Sequence, residues 1–409
     1  MHRVIRGVAF DHPRIVHPLR ASAHAFMARF PEVRIEWVKN SLAEFEETSL
    51  CENSERYDIF AFDHPLIGDS VIDGCILDLE EMRPGLIADL RGRSVGLSLD
   101  SYVYDNSLFG IPFDGAAQNS AWVRSSFIER KPPSNLGELS SFVSQHGKSS
   151  VALPLSPAHS ASSFLTIAAS SKRITESANF LMEPGRLIKA YEYFSVIVRL
   201  SDPSSIFHDP ISLLNEMSEG SPVLFSPYIF GYGIYASSSF SQVPLSFGPA
   251  LRVEEWAARP ILGGAGIAIS SQSSQKELAL DYLEFLVSEE CMAEIVGQNH
   301  GQGGIEAGWG SGTDAEMKQF FFSPTSDSIR SAFVRPRHRG FVDFFSELGS
   351  YLTSSVQKQI DSDIAVKHIL ELFDNFCEQD PFLSELSKAP NPVSSKTPVS
   401  KFTGGTGEA

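Results

Sequence analysis

The chain has 409 residues, which at roughly 100–200 residues per domain implies two to three domains. Hydrophobic residues make up 42% and charged residues 20%, a globular rather than a disordered composition. Acidic side chains number 50 against 33 basic ones, a formal net charge of −17 that argues against a general nucleic-acid binder and against an anionic membrane surface as partner.

In chain order, Val4 to Phe10 is a short apolar run suited to a buried parallel strand. Leu19, Ala23, Phe26 and Phe30 then fall on one helical stripe that Pro31 ends. Val33, Ile35 and Trp37 alternate with Arg34 and Glu36, a strand of period two, and Tyr57 to Phe62 is another apolar strand. Strands alternating with helices predict a parallel, doubly wound α/β sheet. In the Ser/Pro-richer middle, Pro132 to Asn135 reads as a turn into a helix over Leu136 to Val143. Val151 to Leu155 reads as a strand, and Ser221 to Tyr235 contains a further one before a loop with Gly231 and Gly233. Gly263-Gly264-Ala265-Gly266 leads into the strand Ile267 to Ile269. Leu278, Tyr282, Phe285 and Leu286 share a helix face, as do Ala365, Ile369, Leu372, Phe373 and Phe376. From Lys388 to the end, residues 388–409 read as a disordered tail.

No apolar run reaches the roughly 18–20 residues of a bilayer span. The longest, Ile261 to Ile269, is short and carries three glycines. The first ten residues show no apolar core of a secretory leader, so the chain either stays inside or has its leader removed or upstream. Cys51, Cys75, Cys291 and Cys377 form no C-x-x-C pair. The plain expectation is four free core thiols, with a Cys51–Cys75 disulfide open to an oxidising compartment.

One short segment repeats. Ala9-Phe10-Asp11-His12-Pro13 returns as Ala61-Phe62-Asp63-His64-Pro65, each copy where an apolar strand stops. Ligands of open α/β sheets bind outside the carboxyl ends of strands, so neighbouring strands would aim both Asp-His pairs at one crevice. Turn formation by Asp and Pro at strand ends is the competing explanation. The chain holds no G-x-S-x-G elbow, Walker A loop, H-E-x-x-H helix or strand-linked G-x-G-x-x-G, which lowers the odds of an enzyme.

The order of several segments resembles the family 1 extracellular solute-binding proteins, the receptors of carbohydrate-type ABC importers. Phe30-Pro31-Glu32-Val33-Arg34-Ile35-Glu36-Trp37 is similar to that family's F-P-x-V-x-V-x-W step. Tyr57-Asp58-Ile59, then Gly74-Cys75-Ile76-Leu77-Asp78-Leu79, is similar to Y-D-I … G-x-L-x-D-L. Leu108-Phe109-Gly110-Ile111-Pro112 resembles x-Y-G-I-P, and Lys131 to Leu139 resembles P-P-T-T-W-x-E-L with Leu136 in place of the tryptophan. Gly263-Gly264 to Ser270, Lys276-Glu277-Leu278-Ala279 and Phe285-Leu286 match a further run, and Arg335-Pro336-Arg337 resembles the R-P segment before the last helices.

The resemblance implies a type II periplasmic-binding-protein-like fold, two α/β lobes with a ligand cleft between them. It implies lobes made of 1–112 plus 262–325 and 113–261 plus 326–380. It also implies a monomeric, non-enzymatic receptor without cofactor, periplasmic, that hands a small sugar, polyol or related acid to an ABC permease. The candidate ligand-binding residues are Asp11, His12, Asp63 and His64 on the first lobe and Asp114 and Gln118 just past the crossing strand. Tyr228 and Tyr232 are candidate stacking rings, Gly263 and Gly264 candidate backbone donors, and Arg337 a candidate partner for an acidic ligand. Each has a plain structural alternative: hinge surface, core packing, tight turn or surface arginine. Trp122 and Trp256 are expected in the core. Alternatives to the sugar receptor are a metal or metal-chelate receptor using the Asp-His pairs, an intracellular sensor of the same fold, and an Asp/His hydrolase.

Overall fold

A computed structural model of the chain describes residues 3–170, 184–254 and 258–379. Trp256 and the tail expected from Lys388 lie outside them. The first strand, β1 (Arg3–Phe10), runs into α1 (Pro13–Arg29) and β2 (Val33–Asn40). Two short helices, α2 (Leu42–Glu47) and α3 (Leu50–Ser54), lead to β3 (Ile59–Phe62) and α4 (Ile67–Ile72). A capping box of Ser41 and Glu44 starts α2, the reciprocal pairing that satisfies two orphan N–H groups.

The long strand β4 (Ile111–Val123) comes next, followed by α5 (Leu136–His146), α6 (Pro157–Ser170), α7 (Pro184–Leu200) and α8 (Pro210–Ser218). Then come β5 (Phe225–Phe230), β6 (Leu245–Pro249), β7 (Leu262–Ile269) and α9 (Lys276–Leu286). Near the end, α10 (Phe341–Gln357) and α11 (Ser362–Gln379) close the described chain.

The strands form a sheet in the order β2-β1-β3-β7-β4-β5, with β6 also paired to β4. β1 is parallel to both β2 and β3, as the βαβ pattern predicts, with Gly7 opposite Ile59 and Val8 opposite Phe60. β7 is antiparallel to β3, so the sheet is mixed rather than wholly parallel. This strand arrives from 200 residues downstream, where no local periodicity reports its partner or direction.

β4 divides the molecule. Its first half, Ile111 to Ala117, pairs with β7, and its second half, Gln118 to Val123, pairs with β5 and β6. At the changeover the residue just before β7 still bonds to β4, and the segment at Phe333 bonds in turn to the start of β7. Gln118 N donates to Ile261 O at 3.2 Å, and Leu262 N donates to Phe333 O at 2.9 Å. One lobe is built on β2-β1-β3-β7, packed by Ile15, Leu19 and Phe26 of α1 and by Leu278, Tyr282 and Leu286 of α9. The other is built around β5, with Phe164 of α6, Phe194 of α7, Phe344 and Leu348 of α10 and Phe373 of α11 in its core.

Two local readings are corrected. Val151 to Leu155 contributes only a single bridge, Val151 to Phe225, and otherwise runs as coil into α6. Pro154 has no N–H for a ladder, and Leu155 N turns instead to Ser205 O and His208 O. Cys51 and Cys75 are joined in a disulfide with Cα atoms 5.0 Å apart, against the free-thiol expectation for that pair. The bridge ties α3 to the turn after α4; Cys291 and Cys377 are buried.

Candidate functional site

The lobes meet along a narrow cleft. One lobe contributes Glu46 of α2 and Asp63 and Pro65 just past β3. The other contributes His159 at the start of α6, Phe230 at the end of β5, and Arg335 and Phe345 on either side of the α10 entry. The cavity these groups line is small, about 20 Å³, room for one or two water molecules.

Local sequence explains how these groups are aimed. β3 ends at Phe62, and Asp63 caps the short turn His64–Leu66, its Oδ1 accepting from His64 N at 2.9 Å. Across the cleft, Arg335 Nη2 donates to both carboxylate oxygens of Asp63, at 2.8 and 2.6 Å. Burial alone would raise the Asp63 carboxyl, but the guanidinium outweighs it and holds the group far below the usual carboxylate range. Arg335 also lies over the Phe345 ring, 5.7 Å from its centroid. Its Nε is buried with no protein partner among the described residues.

His159 sits in the first turn of α6, whose start is held by His159 N and Ser160 N donating to Ser156 O. Its Nδ1 is 3.0 Å from Ser156 Oγ, and its Nε2 reaches 3.5 Å from Glu46 Oε1 on the opposite lobe. Burial pushes the His159 imidazole down to about 4, so it is neutral at pH 7. The ring stands edge-on to Phe230. The wall carrying these groups is closely fitted: a Cβ on Gly349 of α10 would meet Pro157 O at 1.7 Å. Glycine there lets α10 press against the start of α6.

Deeper in the seam, His12 Nδ1 accepts from Arg14 N at 3.1 Å and caps α1. That bond leaves the proton on Nε2, which donates to Tyr235 Oη at 3.3 Å, and Tyr235 Oη donates to Asn215 Oδ1 at 2.6 Å. Burial, with help from Arg14, holds His12 down to about 3. Arg14 is itself buried. It pairs with Asp114 through Nε–Oδ1 at 2.9 Å and through Nη2–Oδ2, and it lies 4.1 Å from the Tyr232 ring centroid.

The sequence-derived candidates scatter around this cleft. Strands β1 and β3 are neighbours, so the two Asp-His copies do stand side by side. Of the eleven, Asp63 lines the cleft. His64 lies directly behind it, fully buried, with Nδ1 3.2 Å from Asp63 Oδ1; burial, then Arg335, pushes it down to about 4. His12, Asp114 and Tyr232 form the inter-lobe seam just described.

The rest are placed elsewhere. Asp11 faces outward and pairs with Lys39 at 2.7 Å. Gln118 is buried inside the second lobe, its Oε1 accepting from Thr166 Oγ1 at 2.6 Å. Tyr228 is a core ring whose hydroxyl donates to Leu251 O at 2.8 Å. Gly264 has φ +115°, and a Cβ there would meet Asp114 O at 2.2 Å, so it serves the β4–β7 pairing. Gly263 makes room for the Phe230 ring, 2.7 Å from where its Cβ would be. Arg337 is spent on backbone carbonyls of the first lobe: Asp100 O at 2.6 Å, Ser101 O at 3.3 Å, and Val103 O. Trp122 is half-buried beside the second core.

Glu46, His159, Phe230, Arg335 and Phe345 were not among the sequence candidates. Phe230 lay between the two tyrosines that were, and Arg335 two residues before the arginine that was. Nothing local distinguishes those neighbours, because which one faces the cleft depends on the opposite lobe.

Among the described residues no group of three or more His, Cys, Asp or Glu is placed to hold a metal ion. No helix among them is long and apolar enough to cross a membrane. No family model and no curated protein matches the chain. Solved structures do. The maltose-bound MalE3 of T. maritima superposes with a TM-score of 0.73 at 16% identity, covering 90% of this chain and 98% of that one. The chain has the two-lobed, periplasmic-binding-protein-like fold. A solute-binding protein of Thermotoga lettingae TMO bound with α-D-tagatose shares that fold at TM-score 0.76 and 12% identity, over 90% of this chain and 98% of that one. So does one of Agrobacterium radiobacter K84 in complex with ribitol, at TM-score 0.72 and 17% identity, over 90% of this chain and 96% of that one.

Proposed function

We propose that this protein is a non-enzymatic receptor that captures a small carbohydrate-like solute between its lobes and passes it to the permease of an ABC importer. The observation that carries the reading is the inter-lobe cleft, where Glu46 and Asp63 from one lobe face His159, Arg335, Phe230 and Phe345 from the other. Carboxylates accept from hydroxyls, and the guanidinium and imidazole donate. The two phenyl rings cover the C–H face of a sugar. A ligand gripped from both sides is bound only by the closed form, so it shifts the population towards closure. The jaws are 1–112 plus 262–325 and 113–261 plus 326–380. The working compartment is the periplasm or cell exterior, the state monomeric. The neighbours of the same fold that hold maltose, tagatose and ribitol support a polyhydroxylated ligand.

Thermal unfolding against a panel of mono- and disaccharides and alditols tests the reading. A ligand at 100 times its Kd adds about 2.7 kcal/mol and raises Tm by several degrees. A panel in which no sugar or polyol moves Tm contradicts it.

A further inference from the structure

Arg335 heads a short run, Arg335-Pro336-Arg337-His338-Arg339, in which every second residue is an arginine. The run is neither helix nor strand, so its side chains have to hold it in place. Arg337 Nη1 donates to the carbonyls of Asp100, Ser101 and Val103. Arg339 Nη2 reaches Asp73 Oδ1 at 3.3 Å, and Gly340 N donates to Asp69 Oδ1 at 3.2 Å. Gly68 allows the close approach, since a Cβ there would lie 2.0 Å from Arg337 O. Pro336 fixes φ between the first two arginines and brings no N–H to satisfy. Arg335 itself is used differently. Its side chain is 6% exposed and lines the cleft. Nη2 is taken by both oxygens of Asp63, while Nε is buried with no protein partner among the described residues. A buried charged donor left unpaired is costly, so such a group in a cleft points to a ligand acceptor.

We infer that this run is a strap that presents Arg335 Nε to the cleft as the donor anchoring the solute through one hydroxyl oxygen, with Arg337 and Arg339 as positioning residues. The inference rests on the receptor reading and names the atom that reads the solute. Asp63, by taking Nη2, sets the plane of the guanidinium and with it the direction of the Nε–H bond. The anchors at Arg337 and Arg339 fix the backbone that carries it. A donor held this way loses little freedom when the solute arrives, so more of the bond's energy reaches affinity. A solute lacking that one hydroxyl leaves the donor unpaired again, the situation in which a site discriminates strongly.

The test is calorimetry on the full chain with the sugar or polyol that raises Tm most in the panel and with its monodeoxy derivatives. Loss of one particular hydroxyl is expected to weaken binding at least about tenfold. The double variant Asp63→Asn with Arg335→Leu removes the donor without stranding a buried carboxylate. It is expected to bind the parent compound about tenfold more weakly and to shrink the penalty for that hydroxyl to about twofold or less. Arg337→Gln is expected to cut the same penalty, where a merely structural role would weaken every derivative alike. The anchor is overturned if no single hydroxyl is worth about tenfold, or if the penalty persists undiminished in the double variant. A penalty undiminished in Arg337→Gln overturns the strap. In each of these cases the receptor reading still stands on binding of the parent compound, whereas a panel with no binder overturns both.

Discussion

Truncating Arg14 to alanine is expected to cost about 3–5 kcal/mol of folding stability, because it leaves a buried carboxylate without its partner. Arg14 and Asp114 have side-chain exposures of 4% and 2%, so neither charge has water to fall back on. The guanidinium also reaches Gly231 O at 3.4 Å and stacks on Tyr232, which ties α1 to the strand that joins the lobes and to the loop beyond β5. Removing it therefore loosens the hinge rather than one lobe's interior. Urea unfolding of Arg14→Ala, Asp114→Ala and the double variant gives the coupling. The double variant is expected to lose less than the two singles combined, since it leaves no orphaned charge. Additive losses, or an Arg14→Ala midpoint within error of the wild type, contradict this account of the seam.

Acid is expected to unfold the protein well above the carboxylate range. His12, His64 and His159 are buried neutral, held down to about 3, 4 and 4 against an ordinary value of 6.5. Between pH 6.5 and about 4 the unfolded chain binds protons at these three positions and the folded chain does not. The unfolded state binds more protons there, so stability falls as pH is lowered through the window. Each histidine contributes at most about 1.4 kcal/mol per pH unit, and the three together about 3–4 kcal/mol between pH 6 and 5. Asp63 acts in the same direction only in stronger acid, since its carboxylate is held below the usual range. Denaturant unfolding at stepped pH reads this directly. A flat profile from pH 6.5 to 5 shows that these imidazoles are solvated or charged in the folded state.

The elements that rest on local pattern were legible in the sequence. β1, α1 and β2 follow from an apolar run, a helical stripe and a period-two alternation, and Phe30 and Pro31 mark the helix end where α1 stops at Arg29. The repeat at Asp11 and Asp63 marks two neighbouring strand ends, but not their unequal roles. Asp63 meets an arginine from the other lobe, while Asp11 meets only Lys39 at the surface. The antiparallel seat of β7 beside β3, the burial of Arg14 on a helix rich in polar residues, and the choice of Arg335 over Arg337 all depend on contacts between distant segments. Composition and periodicity carry no signal for such pairings. The family resemblance supplied the two-lobed plan, which the fold shows; the cleft residues had to come from the lobes' meeting.

The central claim is a hinged clamp that shuts on a solute. Spin labels on Ile72→Cys in α4 and Phe207→Cys in the other lobe occupy exposed positions, and the native Cys291 and Cys377 are buried. Pulsed dipolar spectroscopy of this doubly labelled chain, with and without a saturating amount of the tightest binder in the panel, measures the gap between lobes. The account predicts that the binder draws a broad or longer distance distribution into one shorter, narrow population. The same distribution in both samples, with binding confirmed by calorimetry, would contradict it.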